Sequence, residues 1–241
     1  MRSTLARLAD VVPFSCVDGP GNRFVLFTQG CPFDCVACHN PETIPPYGSG
    51  TRFTTVDQVL TELRPVEPYL AGVTVSGGEA TAQWRFVRDL FTEIRSDPQL
   101  ARLTTYVDTN GHALPRVWDQ LLTVTDGFMV DLKALDPAVH LRLTGRDNTL
   151  VLDSIRYLHR QHRLAEVRLL LVPGYNDSYP QLARTAGWLA ELDPALRIVV
   201  MGFRRHGVRS EFAGTPEAGP EELGRARTAL EAAGLSHVVT V

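Results

Sequence analysis

Cysteine is scarce: the chain has four in 241 residues, too few for a disulfide scaffold. Three of them crowd together as Cys31, Cys35 and Cys38, a spacing that in a reducing compartment suggests a metal site. Lysine is scarcer still, with one, Lys133, among 24 basic residues. In a chain that uses arginine wherever a generic cation suffices, a retained lysine hints at a place where a compact ammonium works and a planar guanidinium does not. No stretch of about 18 uninterrupted apolar residues occurs, which excludes a spanning helix and predicts no membrane partner. The opening MRSTLARLADVVPFS has neither the apolar core nor the small-residue cleavage site of a secretory signal, so a cytoplasmic location is expected. There is no basic excess: 24 Lys+Arg against 27 Asp+Glu give a net charge of -3. A dedicated nucleic-acid binder would carry a basic face, so no nucleic-acid partner is expected.

The length fits one α/β barrel-like domain or two small ones, and 44% apolar residues suffice for a large core. Repeats, low-complexity tracts and long linkers are absent. Six strand-like runs stand out: 23–29, 72–76, 103–108, 127–132, 166–172 and 196–202. Each is short, rich in Val, Leu, Phe or Ile, and closed by Gly, Asp or Pro. Helical patterns lie between them at 55–63, 84–96, 115–122, 150–162 and 179–192. A last helix spans 220–234, closed by Gly234, and an apolar tail comes after it at 237–241. This alternation predicts parallel strands with helical crossovers. Six units are two short of the closed eightfold barrel. The first choice is therefore a partial (β/α)6 TIM-like barrel in one domain, with an N-terminal extension over about 1–22 and a C-terminal cap over about 203–241. A doubly wound open sheet is the alternative.

The unusual polar residues follow the strands. Cys31, Cys35 and Cys38 come after the first, and Ser76-Gly77-Gly78-Glu79 after the second. Asp108-Thr109-Asn110-Gly111 ends the third and Asp131-Leu132-Lys133 the fourth. Val172-Pro173-Gly174-Tyr175-Asn176-Asp177 follows the fifth, and a stretch from Met201 to Gly207 containing His206 follows the sixth. Strand C-termini of a parallel α/β fold share one face, so these stretches converge on one mouth. Three thiolates spaced Cys-x3-Cys-x2-Cys can bind three irons of a [4Fe–4S] cluster, leaving the fourth iron for a small molecule. Zinc competes and would need a remote fourth ligand, because His39 is adjacent to Cys38. A plain cluster of thiols is the blandest alternative. Gly77 and Gly78 permit close backbone approach to a ligand and Glu79 can accept its hydrogen bonds; otherwise they make an ordinary tight turn. Asp108 and Asp131 could share a cation or bind an ammonium, or cap helices. His206 could equally face solvent. Cys16 is read as a small buried residue rather than a ligand.

Taken together, these residues resemble the radical S-adenosylmethionine (SAM) enzymes, whose signature Cys31-x3-Cys35-x2-Cys38 matches. The closer resemblance is to the activating enzymes of glycyl-radical enzymes, of which pyruvate formate-lyase activase is the best known. It is carried by Val17-Asp18-Gly19-Pro20-Gly21-Asn22-Arg23-Phe24, Gln29-Gly30-Cys31, Cys38-His39-Asn40, Ser76 to Ala80, Asp108 to Gly111, Asp131 to Lys133 and Val172 to Gly174. The resemblance implies an oxidoreductase of anaerobic metabolism with one [4Fe–4S] cluster and SAM. Its unique iron would chelate SAM. Gly77, Gly78 and Glu79 would hold the SAM amino group, and Lys133 would meet its carboxylate. Asn110, Val172 and His206 fall in matched cofactor-binding segments. Asp108, Thr109, Met129 and Asp131 match positions that bind a monovalent cation, and Asp18 and His39 match positions near a peptide substrate. The implied partners are a glycyl-radical enzyme and a flavodoxin- or ferredoxin-type electron donor. Two features depart from the family pattern. Ala37 stands where an aromatic residue often contacts adenine. The stretch Met201 to His206 replaces Leu-Pro-Tyr-His. Gly207-Val208-Arg209 resembles a subgroup that inserts a ferredoxin-like domain after the cluster loop, for which 41–53 leave no room. The competing readings are another radical SAM enzyme acting on a small molecule or peptide, and a non-catalytic metal-binding module.

Overall fold

All six expected strands form, because short runs of branched and aromatic residues bounded by turn residues suit a sheet buried on both faces. The computed structural model describes residues 4–241. In chain order the elements are β1 (Leu5–Ser15), β2 (Arg23–Thr28), β3 (Arg52–Thr55), α1 (Val56–Leu63), β4 (Gly72–Gly77), α2 (Trp84–Ser96), β5 (Thr104–Thr109), α3 (Pro115–Leu122), β6 (Gly127–Asp131), α4 (Pro137–Thr144), α5 (Thr149–Arg160), β7 (Leu164–Leu171), α6 (Tyr179–Leu192), β8 (Arg197–Gly202), α7 (Pro220–Ala232) and β9 (His237–Thr240).

One nine-stranded sheet runs in the order β3-β1-β2-β4-β5-β6-β7-β8-β9. β1 is antiparallel to both its neighbours, and every pair from β2 to β9 is parallel. From β2 onward the strands keep sequence order without the reversal that a doubly wound sheet requires. Right-handed crossovers that always advance the same way put the helices on one face. The sheet curls around its other face as an unclosed barrel, open between its β3 and β9 edges.

Four elements, β1, β3, α4 and β9, depart from the sequence expectation. The N-terminal extension contains β1, an antiparallel strand between β2 and the edge strand β3, neither β1 nor β3 having been expected; Pro13 of β1 falls at an irregularity of the pairing with β2 between Val12 and Ser15, where a missing N–H is tolerated. The apolar tail is β9, a seventh parallel strand paired with β8, so the C-terminal cap completes the sheet. Helix α4 was not expected; it begins at Asp136, whose carboxylate accepts from the N–H groups of Ala138 and Val139, and stops at left-handed Gly145.

The helices bury their apolar stripes on the outer face of the sheet. Val87, Leu90, Phe91 and Ile94 of α2 are fully enclosed, as are Trp118 of α3 and Ile155 and Leu158 of α5. The Trp118 indole donates to Ser154 Oγ at 2.8 Å. Helix α1 starts in a Thr55–Gln58 capping box. At the N-terminal end of the parallel strands, Arg23 is completely buried. Its guanidinium donates to Thr74 Oγ1 at 2.6 Å, to the Val73 carbonyl at 2.8 Å and to the Thr104 carbonyl at 2.9 Å, closing that end. The opposite end carries the loops that leave the strands. Among the described residues, no helix is long and apolar enough to cross a membrane.

Candidate active site

The loop after β2 carries the three cysteines and is fixed from several directions. Gln29 Nε2 donates to the carbonyls of Glu42 at 2.8 Å and Pro45 at 2.7 Å. The N–H of Gly30 reaches the Thr43 carbonyl at 2.8 Å, and that of Cys31 the Ile44 carbonyl at 3.0 Å. On the other side, the N–H groups of Asp34 and Val36 bond the carbonyls ending α4, Thr144 at 2.9 Å and Leu143 at 3.0 Å. Helix α4 therefore holds the cysteine loop as a template. The C-terminal stretch closes on it too: Arg209 pairs with Asp34, and left-handed Gly207 lies where a Cβ would strike the His39 carbonyl. This gives Gly207-Val208-Arg209 a physical role that the sequence pattern did not reveal.

Cys31, Cys35 and Cys38 line one cleft of about 240 Å³, half-buried and free of disulfides. Burial pushes the Cys31 thiol up to about 12 and Cys35 up to about 11, and Cys38 moves in the same direction. Thiols so placed are poor free nucleophiles and good candidates for a metal partner that stabilises thiolate. Among the described residues, no three Cys, His, Asp or Glu side chains gather around one point, as ligands of a single ion would. A cubane asks instead for one thiolate on each of three irons, and the donor set fits it. Cys16, expected to be buried, is exposed, because the 16–22 segment crosses the outside of the sheet end rather than its core.

Gly77 and Gly78 bring the end of β4 against this loop. Gly77 has φ +113°, and a Cβ there would run into the Thr28 backbone. A Cβ on Gly78 would stand 2.6 Å from the Gly30 carbonyl oxygen and 2.7 Å from that of Thr43. Glu79 is 2% exposed, and its carboxylate is already engaged. Oε1 accepts from Thr81 N–H at 2.8 Å and from the hydroxyls of Thr81 and Thr109 at 2.6 Å, while Oε2 accepts from the Asn110 N–H at 2.8 Å. Burial nevertheless holds its pKa above the usual carboxylate range. Glu79 thus ties the loop after β4 to the one after β5. Asn110 Nδ2 in turn lies 3.5 Å from Cys31 Sγ.

The charged residues form a chain across β5, β6 and β7. Lys133 Nζ pairs with Asp131 Oδ2 at 2.7 Å, and both line the cleft. Burial alone would lower the Lys133 pKa; Asp131, then the Cys35 thiol and Asp108, outweigh it and the ammonium is held on. Asp108 also lines the cleft and accepts from Ser76 Oγ at 2.9 Å. Burial pushes it up to about 6, with Asp131 and Asp18 adding to the rise and Arg168 opposing it. Arg168, which the sequence reading passed over inside a strand-like run, is buried and bonds Asp108 Oδ2 through Nη1 at 3.1 Å and Met129 Sδ through Nη2 at 3.1 Å.

Of the remaining expected positions, Val172 is buried in the cleft wall beside Ala37, Leu143 and Leu170, and Met201 lines the same cleft. Asn176, which the sequence placed at this mouth without a role, fixes this wall: its Oδ1 accepts from Val172 N–H at 2.7 Å and its Nδ2 donates to the Lys133 carbonyl at 2.8 Å. His39 lines the cleft, stacks on Phe203 with centroids 6.0 Å apart, and has its pKa lowered by burial. Its Nε2 lies 2.9 Å from the Arg204 carbonyl. Asp18 lies outside the cleft lining, its carboxylate accepting from Ser15 Oγ at 2.5 Å. His206 is exposed and does not line the cleft, because Gly207 turns the chain there toward His39 and leaves the histidine facing solvent.

A family model described as the radical SAM superfamily matches residues 25–186. The chain is 35% identical over 211 residues to the pyruvate formate-lyase-activating enzyme of Staphylococcus aureus (strain USA300), covering 83% of this chain and 82% of that one. A crystal structure of a domain of pyruvate-formate lyase-activating enzyme from Bacteroides vulgatus ATCC 8482 superposes with a TM-score of 0.58 at 23% identity, covering 71% of this chain and 99% of that domain. Streptococcus suis SuiB bound to S-adenosylmethionine gives a TM-score of 0.65 at 14% identity, over 88% of this chain and 48% of that one; at these identities the two structures speak for the fold alone. With its fold, its cysteine loop and an activating-enzyme relative matched over most of both lengths, the chain belongs to the radical SAM superfamily, whose enzymes carry a [4Fe–4S] cluster and S-adenosylmethionine.

Proposed function

We propose that this radical SAM enzyme activates a glycyl-radical enzyme by abstracting a Cα hydrogen from a glycine of that partner. One observation carries the reading: the cysteine loop, the Gly77-Gly78 turn and the Lys133–Asp131 pair line a single cleft at the strand C-termini of an unclosed barrel. The side left open between β3 and β9 accommodates a loop of another polypeptide. The extent of identity to an enzyme named as a pyruvate formate-lyase activator supports the same choice.

Cys31, Cys35 and Cys38 would hold the cluster, which when loaded would supply the electron for reductive cleavage of the sulfur–C5′ bond of SAM, the source of the hydrogen-abstracting radical. The chain's own residues orient and shield. The backbone around Gly77 and Gly78 receives the SAM amino group. Lys133, held by Asp131, meets the carboxylate in a charge-assisted contact. Glu79 acts mainly by tying Thr81, Thr109 and Asn110 in place, since most of its acceptor capacity is used within the protein. Ala37 offers little surface to adenine, so the apolar wall of Leu143, Leu170, Val172 and Met201 packs against that ring instead. His39 stands at the cleft and Asp18 beyond it as contacts for the peptide. A flavodoxin- or ferredoxin-type protein supplies the electron.

The test combines reduced, cluster-loaded protein, SAM and the glycyl-radical enzyme encoded in the same genome, without oxygen. The expected result is a carbon-centred glycyl doublet in the paramagnetic resonance spectrum of the partner, with an equivalent of 5′-deoxyadenosine. Replacing the partner's radical-site glycine by alanine abolishes the doublet. Formation of 5′-deoxyadenosine with no radical on any such partner would move the reading to a small-molecule or other peptide substrate.

A further inference from the structure

The resemblance asks for a monovalent cation among Asp108, Thr109, Met129 and Asp131, and each of those residues is already engaged by another group of the chain. Strand register puts Asp108 opposite Met129, Met129 opposite Glu166, and Asp131 opposite Arg168. Into this patch the Arg168 side chain enters, 8% exposed as a residue. Its Nη1 lies 3.1 Å from Asp108 Oδ2 and its Nη2 3.1 Å from Met129 Sδ. Its Nε bonds Glu166 Oε1 at 2.6 Å, and the other oxygen of Glu166 meets Arg197 Nε at 3.1 Å. Two of the four expected ligands therefore face a guanidinium. The third, Thr109, has turned its hydroxyl to Glu79 at 2.6 Å, and the fourth, Asp131, holds Lys133 at 2.7 Å.

The charges agree with the contacts. Asp108, Asp131 and Glu166 each already have a cation belonging to the chain, and a free ion would have to share Asp108 and Met129 with an always-charged guanidinium at hydrogen-bond range. Like charges so close in a buried site repel strongly. The shape of arginine also suits the patch. Its planar fork reaches a carboxylate, a thioether and a second carboxylate at once, whereas a monatomic ion would need them to converge.

We infer that Arg168 supplies, from within the chain, the positive charge for which the resemblance asks a monovalent cation, and that SAM binding here is independent of sodium and potassium. The inference rests on the proposed SAM site. Arg168 does not line the cleft; it is a positioning residue that acts through Asp108, which does.

Two measurements test it. The first titrates SAM into cluster-loaded protein in chloride buffers of equal ionic strength containing choline, sodium or potassium. Wild-type affinities are expected to agree within a factor of about two. Affinity that is about tenfold or more tighter in sodium or potassium than in choline would overturn the inference. The second follows cation binding to the protein without SAM, by sodium or thallium NMR relaxation, in wild type and Arg168→Gln. No specific cation binding is expected in wild type, and a saturable site is expected once the guanidinium is gone. In Arg168→Gln, SAM affinity should fall in choline and recover with potassium, sodium or methylguanidinium, a pattern that mere loss of packing would not give. Saturable cation binding by the wild type overturns the inference even if SAM does not bind at all, and absence of SAM binding in every buffer counts against the SAM site instead.

Discussion

Replacing Gly78 by alanine should damage the site by steric contact alone. Gly78 has no left-handed backbone to protect, so the whole effect comes from one methyl group. That methyl would stand 2.6 Å from the Gly30 carbonyl oxygen and 2.7 Å from the Thr43 carbonyl oxygen, both backbone atoms. Neither can swing aside as a side-chain tip would. Thr43 O is the acceptor for Gly30 N–H at 2.8 Å, and Gly78 N–H is bonded to Thr28 O at 2.8 Å, so relief on one side strains a bond on the other. Overpacking of this kind costs about 1–3 kcal/mol. For a chain of this size each kcal/mol lowers Tm by about 2–4 °C, so a fall of about 2–12 °C is expected. Because the displaced backbone leads directly into Cys31, iron retention should fall with it. Gly50→Ala is the control, since nothing lies within 4 Å of its added carbon. Calorimetry on the metal-free proteins and iron analysis after anaerobic reconstitution supply the two readouts. If Gly78→Ala matches wild type in both, Gly78 does not serve close backbone packing against the cysteine loop, and that part of the account fails.

Lys133→Ala should weaken SAM binding by about ten- to a hundredfold, the value of a charge-assisted contact of ~1.5–3 kcal/mol, and Lys133→Arg should not restore it, because the larger fork does not fit beside Asp131; calorimetric titration of the cluster-loaded protein checks this, and unchanged affinity in Lys133→Ala would remove the lysine from the site. Stability should also carry a signature of Asp108, whose carboxyl is raised in the fold from 3.8 to about 6. Between those values the folded protein binds the proton more tightly than the unfolded one, so this contribution is fully present below about 4 and is lost as the pH rises through about 6. Asp108→Asn should flatten that segment of the stability profile, an effect of the order of a few kcal/mol across it, read by denaturant unfolding at several pH values; a profile unchanged by the substitution would contradict the assignment.

Much of the arrangement was legible in the sequence because chemistry and position coincide there. Parallel strands announce themselves as short apolar runs, and the loops leaving them must all lie at the same end. Cys31, Gly77, Asp108, Asp131 and Val172 could therefore be brought to one mouth from the sequence alone. The elements that escaped did so for physical reasons. β1 mixes charged residues with Pro13, which falls past the Leu5–Leu8 stretch paired with β3 and at an irregularity of the pairing with β2, and so lacks a buried strand's pattern. β9 is four residues long and draws its stability from β8 rather than from its own run. The start and stop of α4, Asp136-Pro137 and Gly145, were present in the sequence, but its eight residues carry no clear amphipathic stripe because the cysteine loop covers it on a further side. Arg168 is the instructive miss. Within a strand-like run a single arginine reads as an outward-facing residue, and only the register across β5, β6 and β7 reveals that it points into a cluster of carboxylates. Cys16 erred the other way: a small apolar side chain is a good guess for burial, but the turn through Gly19 and Gly21 keeps it on the surface.

The most direct test of the central claim is iron counting with paramagnetic resonance on anaerobically reconstituted wild type and the four single Cys→Ser variants. The account predicts about four irons per wild-type chain and a reduced [4Fe–4S] signal that shifts on addition of SAM. Cys16→Ser, altered at an exposed site away from the cleft, should keep both properties. Cys31→Ser, Cys35→Ser and Cys38→Ser should each lose the cluster. An intact, SAM-responsive cluster in Cys35→Ser, or a cluster lost in Cys16→Ser, would contradict it.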